Sequence, residues 1–175
     1  MRPTIDYRKA NPEALAAMRR LQDYVGRCGL EAGLLELVKT RASQINGCAY
    51  CVDMHTKDAR ANGETEQRLY LLPAWREAPL YGERERAALA WTEALTRIER
   101  GIPEEDYRLA REQFTEHELV ALSIAVIAIN GWNRLAIPFR TPVGTYHRSP
   151  VHDARSGDQE QEANHERDEG IGRRQ

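Results

Sequence analysis

Two cysteines and a histidine fall within eight residues of one another in Asn46-Gly47-Cys48-Ala49-Tyr50-Cys51-Val52-Asp53-Met54-His55. No Gly or Pro interrupts the chain between Gly47 and Gly63, so a helix from Cys48 onward is allowed. Such a helix makes Cys48 and Cys51 an i,i+3 pair and Cys51 and His55 an i,i+4 pair, all on one face. A thiol attacks only as thiolate, and an ordinary cysteine, with a pKa of roughly 8.5, is mostly protonated at neutral pH. A helix starting just after Gly47 aims unpaired backbone N–H groups at Cys48 and lowers that value, and an imidazole one turn beyond Cys51 can exchange protons. Attack on a peroxide yields a sulfenic acid, which a neighbouring cysteine can condense to a disulfide before further oxidation.

The element before this cluster carries Leu34, Leu35, Leu37, Val38, Ala42 and Ile45, a helical apolar pattern that stops at the Asn46-Gly47 turn. Glu36 therefore belongs to a helix folded back beside the cysteine helix. A buried carboxylate there could orient His55 or relay a proton, completing a nucleophile, base and orienter arrangement. Three other readings compete. A zinc site could use Glu36, Cys48, Cys51 and His55, although structural zinc sites usually show a second Cys or His pair at short spacing and none is present. A thioredoxin-like domain needs its Cys-x-x-Cys beside a βαβ pattern, whereas both flanks here are helical. The third is two ordinary buried cysteines beside a surface histidine, since free cysteine is among the most buried residue types.

Glu36, an eleven-residue gap, Cys48-x-x-Cys51, three residues and His55 together resemble the signature of the alkylhydroperoxidase D-like branch of the carboxymuconolactone decarboxylase family. The resemblance runs from about Leu15 to Ile137, and Asn130-Gly131-Trp132-Asn133-Arg134-Leu135 is similar to the family's C-terminal helix motif. It implies an all-α helical bundle, assembled as a trimer or hexamer, with thiol-dependent peroxidase activity. The resemblance also implies that Cys51 meets the peroxide, that Cys48 resolves and faces the reductant, and that His55 and Glu36 form the proton relay. Helix-terminus electrostatics point instead to Cys48 as the more acidic thiol. Tyr50 stands where alkylhydroperoxidase D itself carries a further histidine, a departure that favours a broader family role.

At 175 residues the chain is one domain's worth, with 41% hydrophobic and 30% charged residues, the composition of a soluble globular protein. A net charge of −2 argues against a general nucleic-acid binder. Met1-Arg2-Pro3-Thr4-Ile5-Asp6 has no apolar leader, and only three cysteines occur, so the expected location is the cytoplasm.

Residues 1–11 form a polar arm, and Asn11-Pro12 reads as a helix start whose stripe of Leu15, Met18, Leu21 and Val25 stops at Gly26. Tyr7 and Tyr24 read as core-edge aromatics and Cys28 as a bystander. Further helices are expected over about 30–45, 48–62 and 65–72, the last closed by Pro73. Asp53, Lys57, Asp58 and Arg60 form a solvated face, while Trp75 and Tyr81 pack in the connection that follows. A helix over 83–98 carries Glu83, Arg84, Glu85, Arg86, Glu93 and Arg97 as surface charge, and Pro103 begins another to about Gln113. Thr115-x-x-Glu118 is a capping box for a last helix, with His117 exposed in its first turn. Leu119 to Ile129 is apolar all round, too short for a membrane span, which needs about 20 residues, and suited to a central position or a subunit interface. Asn130, Trp132, Asn133 and Arg134 either bond neighbouring helices or line a pocket. From 141 to 175 the chain turns polar, with His147, His152 and His165 too dispersed for a metal motif. That tail is expected to be flexible or held by a neighbouring subunit, leaving 1–140 as the helical domain.

The reading is a thiol-dependent peroxidase or disulfide reductase acting on alkyl hydroperoxides. A thioredoxin-like or lipoyl-type dithiol re-reduces it, and the cycle needs no bound cofactor or metal. A carboxymuconolactone-type decarboxylase and a zinc-stabilised, non-catalytic oligomeric scaffold are the alternatives.

Overall fold

Burial of seven successive residues, Leu34 to Thr40, makes one helix the axis of the bundle, since a helix enclosed on every side needs neighbours all round. The computed structural model describes residues 5–148. The helices are α1 (Tyr7–Ala10), α2 (Pro12–Val25), α3 (Ala32–Asn46), α4 (Ala49–Ala61), α5 (Glu66–Leu71), α6 (Glu83–Thr96), α7 (Glu104–Gln113) and α8 (Glu116–Ala136). Short 3-10 turns at Leu72–Ala74 and Ile98–Arg100 complete the regular structure of the described residues, which contain no strand. The axial helix α3 packs on α4, α6 and α8, while α2 lies on α8 and α7 on α6. Val25, Val38, Ala88, Phe114 and Leu122 join α2, α3, α6, α7 and α8 in one apolar cluster. Leu37, Leu72, Trp75 and Leu89 form a second, and Cys48 and Cys51 sit in a third with Ala42, Ile129 and Ala136.

Local chemistry sets the helix ends. Asn11 accepts the Ala14 N–H at 3.0 Å ahead of Pro12, and Thr115 and Glu118 close the expected capping box. Between α3 and α4 the chain reverses at Gly47, whose φ is +69°. There Cys48 N–H donates to the Ser43 carbonyl at 2.9 Å and Gly47 N–H to the Gln44 carbonyl at 3.2 Å, a Schellman closure that uses up the last carbonyls of α3. Because Cys48 is committed to that closure in extended backbone, α4 begins at Ala49, one residue later than the spacing suggested.

Other differences have equally local causes. Pro73 does not close α5 but sits inside the following 3-10 turn, near a helix start where a missing N–H costs little. Pro103 caps α7 from outside in extended backbone. Glu93 is no surface charge: it accepts from Arg41 at 2.8 Å, from the Trp75 indole at 2.9 Å and from Arg76 at 3.1 Å, tying α3, the 72–81 connection and α6 together. Trp75 and Tyr81 are buried packing residues, as expected. The first residues of the polar tail lie back along α4: Gly144 N–H bonds Asp53 at 3.2 Å, Lys57 the Tyr146 carbonyl at 3.2 Å, and the Tyr146 hydroxyl Asp58 at 2.8 Å. The remainder of the tail, with His152 and His165, and residues 1–4 lie outside the described residues.

Helix α8 runs for 21 residues, long and apolar enough by length and composition to cross a bilayer, but half of its apolar window is buried inside the fold. Leu122, Ala125, Val126 and Ile129 face the core, while Val120 and Ile127 are exposed on the outer side.

A Cβ at Gly47 meets no neighbouring atom, so the cost of Gly47→Ala is conformational. The left-handed backbone should make that variant less stable by about 1 kcal/mol, read as a lower urea midpoint at unchanged m-value.

Candidate active site

Cys48 caps α4 and Cys51 is its third helical residue, and both are almost completely buried. The two side chains hydrogen-bond to each other and act as one titrating unit. Hydrogen bonding from the Cys51 thiol lowers Cys48 to about 7 against the opposing effect of burial, with further help from the Cys51 backbone N–H and the Asn133 side chain. Cys51 moves the other way: its bond to Cys48, burial and the adjacent negative charge all hold its proton on. The N-terminal cysteine is thus the more acidic, chiefly through the Cys51 thiol and only secondarily through the backbone N–H at the helix start.

Asn133 on α8 supports this pair from behind. It has no exposed surface, its Nδ2 donates to Ser43 Oγ at 3.1 Å and its Oδ1 accepts from Asn46 Nδ2 at 2.8 Å. Asn46 Nδ2 also reaches Asn130 Oδ1 at 2.9 Å, and Asn130 Nδ2 donates to Thr96 Oγ1 at 3.1 Å. The Asn130 and Asn133 side chains therefore bond α8 to the α3–α4 turn and to α6, whereas Trp132 between them turns toward the cavity described below.

Glu36 is buried on α3 and bridges two partners. Its Oε2 lies 2.8 Å from His55 Nδ1 on α4, and its Oε1 accepts from Lys39 Nζ at 2.8 Å. Burial alone raises a carboxyl pKa, but the His55 hydrogen bond and the Lys39 charge more than offset it and hold Glu36 at about 2. Because the carboxylate stays ionised, Nδ1 of His55 is the donor in that bond, leaving Nε2 to exchange protons.

His55 and Cys51 open onto a cavity of about 900 Å³ between α1, α2, α3, α4 and the end of α8. Cys48 does not line it. Its side faces a separate shallow groove formed with Ser43, Gln44, Val52 and Asp53. The two sulfurs thus sit at a partition, one toward each side.

Of the four residues singled out by their spacing, Glu36 and His55 are in direct contact, Cys48 and Cys51 bond each other, and Cys51 shares the cavity with the Glu36–His55 pair while Cys48 does not. Lys39 was not singled out, although Glu36-x-x-Lys39 is an i,i+3 ion-pair spacing within an apolar run. Asp58, expected on a solvated face, instead lines the cavity one turn beyond His55, and Tyr7, expected at the core edge, lines it too. Cys28 is buried in the first apolar cluster, away from the pair, and His117 is exposed. Among the described residues, the group whose donor atoms all lie within 4.8 Å of one another is Glu36, His55 and Asp58, which includes neither cysteine. A zinc site built from Glu36, Cys48, Cys51 and His55 is therefore not assembled, and in the group that is, Lys39 and Tyr146 already occupy carboxylate oxygens.

The sequence profile of the carboxymuconolactone decarboxylase family matches residues 12–94. An uncharacterized Bacillus subtilis protein, YdfG, is 41% identical over 138 residues, covering 78% of this chain and 94% of the relative. A crystal structure from Agrobacterium tumefaciens, of a protein of unknown function described as a candidate antioxidant defence protein AhpD, superposes with a TM-score of 0.79 at 44% identity, covering 83% of this chain and 100% of that one. An uncharacterized peroxidase-related protein from Silicibacter superposes at 0.68 with 27% identity, covering 78% and 74% respectively.

Two measurements check the electrostatics. Glu36 has a depressed pKa in the fold, so its contribution to stability is complete above the unfolded value of 4.5 and disappears as pH falls toward 2. Across that window the wild type should lose up to about 3 kcal/mol that Glu36→Gln, with nothing to titrate, does not lose; the slopes of unfolding free energy against pH compare them. Iodoacetamide labelling should accelerate as pH rises through about 7, with mass spectrometry finding the first label on Cys48 rather than Cys51.

Proposed function

The chain belongs to the carboxymuconolactone decarboxylase family, and on that premise we propose that it is a cytoplasmic thiol-dependent peroxidase that reduces alkyl hydroperoxides and is itself reduced by an external dithiol. The observation that carries this reading is the division of labour across the partition: Cys51 shares the large cavity with the Glu36–His55 pair, while its partner Cys48 faces the opposite groove. A peroxide in the cavity meets Cys51. As its sulfur attacks the distal peroxide oxygen, its proton passes along the existing hydrogen bond to the Cys48 sulfur. The O–O bond breaks, the alkoxide leaves as alcohol with a proton from the His55 side, and Cys51 becomes a sulfenic acid. The Cys48 sulfur then attacks that sulfur, its proton leaving with the displaced hydroxide as water, and a disulfide closes across the partition. One peroxide is reduced for two thiols oxidised.

Reduction follows by thiol–disulfide exchange from the groove side, where a thioredoxin-like or lipoyl-type dithiol can reach Cys48 without entering the cavity. Lys39 and Glu36 act through His55, fixing its tautomer and stabilising the imidazolium each time it holds a proton. Val120 and Ile127 on the outer face of α8 support assembly as a trimer or hexamer, because exposed apolar side chains one helical face apart gain by being covered. Decarboxylation of a lactone has no use for a redox thiol pair, and the partitioned sulfurs favour the peroxidase.

Stopped-flow oxidation with cumene hydroperoxide separates the roles. Cys51→Ser should consume no peroxide, Cys48→Ser should consume one equivalent and stop at a trappable sulfenic acid, and His55→Gln should slow the first step by roughly a hundredfold. Equal turnover in the wild type and both serine variants would remove the mechanism.

A further inference from the structure

We propose that the cavity beside Cys51 takes an anionic amphiphile: a hydroperoxide whose apolar body ends in a carboxylate, with Arg8 and Arg19 holding that carboxylate while the peroxide group lies at Cys51. This substrate class rests on the thiol-peroxidase reading and narrows it. The chain as a whole carries a net charge of −2, yet the cavity lining carries four basic side chains, Arg8, Arg19, Lys39 and Arg148, against two acidic ones, Glu36 and Asp58. Both acids are already answered from within the fold, Glu36 by Lys39 and His55 and Asp58 by the Tyr146 hydroxyl. The arginines of the α1–α2 wall are not. Among the described residues Arg19 pairs with no carboxylate, and the Arg8 guanidinium lies 5.7 Å from the Tyr7 ring and bonds the phenols of Tyr7 and Tyr50 instead of an acid.

Arg19 and the thiol come from different walls of one cavity. Leu15, Arg19, Gln22 and Gly26 recur at helical spacing on the face of α2 that lines the cavity, so the Arg19 charge sits one turn from apolar wall. Cys51, Met54 and His55 come from α4, a different wall, and Leu35 and Trp132 add apolar surface. A neutral aryl peroxide can use that apolar surface but offers the Arg8 and Arg19 guanidinium groups no charge. A carboxylate gains charge-assisted hydrogen bonds from two arginines that line the cavity while staying exposed to solvent. At about 900 Å³ the cavity lies at the large end of the range for small-molecule sites, with room for a chain as well as a head group. The carboxylate takes no part in the redox step, which remains transfer of one peroxide oxygen to Cys51 and closure of the disulfide.

The test compares a long-chain fatty acid hydroperoxide with its methyl ester, in the wild type, Arg8→Gln, Arg19→Gln and the double variant. The acid should be preferred in kcat/KM by about tenfold or more in the wild type, mainly through KM. That ratio should fall toward one in the double variant and narrow with added salt. Equal kcat/KM for acid and ester in the wild type, or a preference untouched in the double variant, would overturn the proposal. If neither hydroperoxide is reduced, the peroxidase reading fails on its own, and quenching of tryptophan fluorescence by the unreactive fatty acid decides the binding claim separately. Tighter binding of the acid than of its ester sustains the anionic site, and equal binding overturns it.

Discussion

A carboxylate placed inside an apolar bundle must be answered by charge or it will not stay ionised, and the arrangement around Glu36 follows from that requirement. Burying an ion costs several kcal/mol even after relaxation. Lys39 on the same helix and His55 on the next one each approach within 2.8 Å, and between them they keep the carboxylate charged. The consequence reaches beyond the ion itself. One of the two partners is on α4, so the demand for neutralisation ties α3 to α4 at the level of His55, one turn beyond Cys51. The imidazole therefore has one orientation and one tautomer.

The cysteine end of α4 is held by a different kind of bond. Gly47 turns the chain in a left-handed conformation that closes α3 and leaves Cys48 extended, so the pair straddles the start of the helix. Behind it, Asn46, Asn130, Asn133 and Ser43 bond one another, and Asn130 extends the network to Thr96 on α6, so each buried amide gains partners and loses freedom to move. The network joins the turn to α8, the apolar helix whose inner face completes the core. A rigid backing of this kind keeps two sulfurs in contact without closing either side of the partition they occupy.

The electrostatics of the two thiols and their access point in opposite directions, and the two facts fit together. Cys48 is the more acidic sulfur, while Cys51 is the one beside the cavity and the histidine. In the proposed thiol-peroxidase reading, the acidity of Cys48 serves disulfide closure and its position at the outer groove suits attack by an incoming dithiol.

Helical periodicity, the Asn11 and Thr115 caps and the glycine stops were legible along the chain because each depends on residues within a turn of one another. The same is true of Cys51 and His55 sharing a face, and the spacing from Glu36 through the Asn46-Gly47 turn was enough to fold its helix back beside them; Cys48, expected on that face too, instead caps α4 from extended backbone and looks into the other groove. What the linear order does not contain is which side of a helix faces another element. Glu93 looked like an ordinary surface charge, and Asp58 like part of an outer face, until Arg41 of α3, the 72–81 connection and the returning 141–148 segment reached them. The same holds for the cavity, whose arginines come from α1 and α2 and whose reactive wall comes from α4. Short-range pattern sets the elements because propensity and capping act over a few residues; burial, charge pairing and access are properties of neighbours distant in sequence, and only packing decides them.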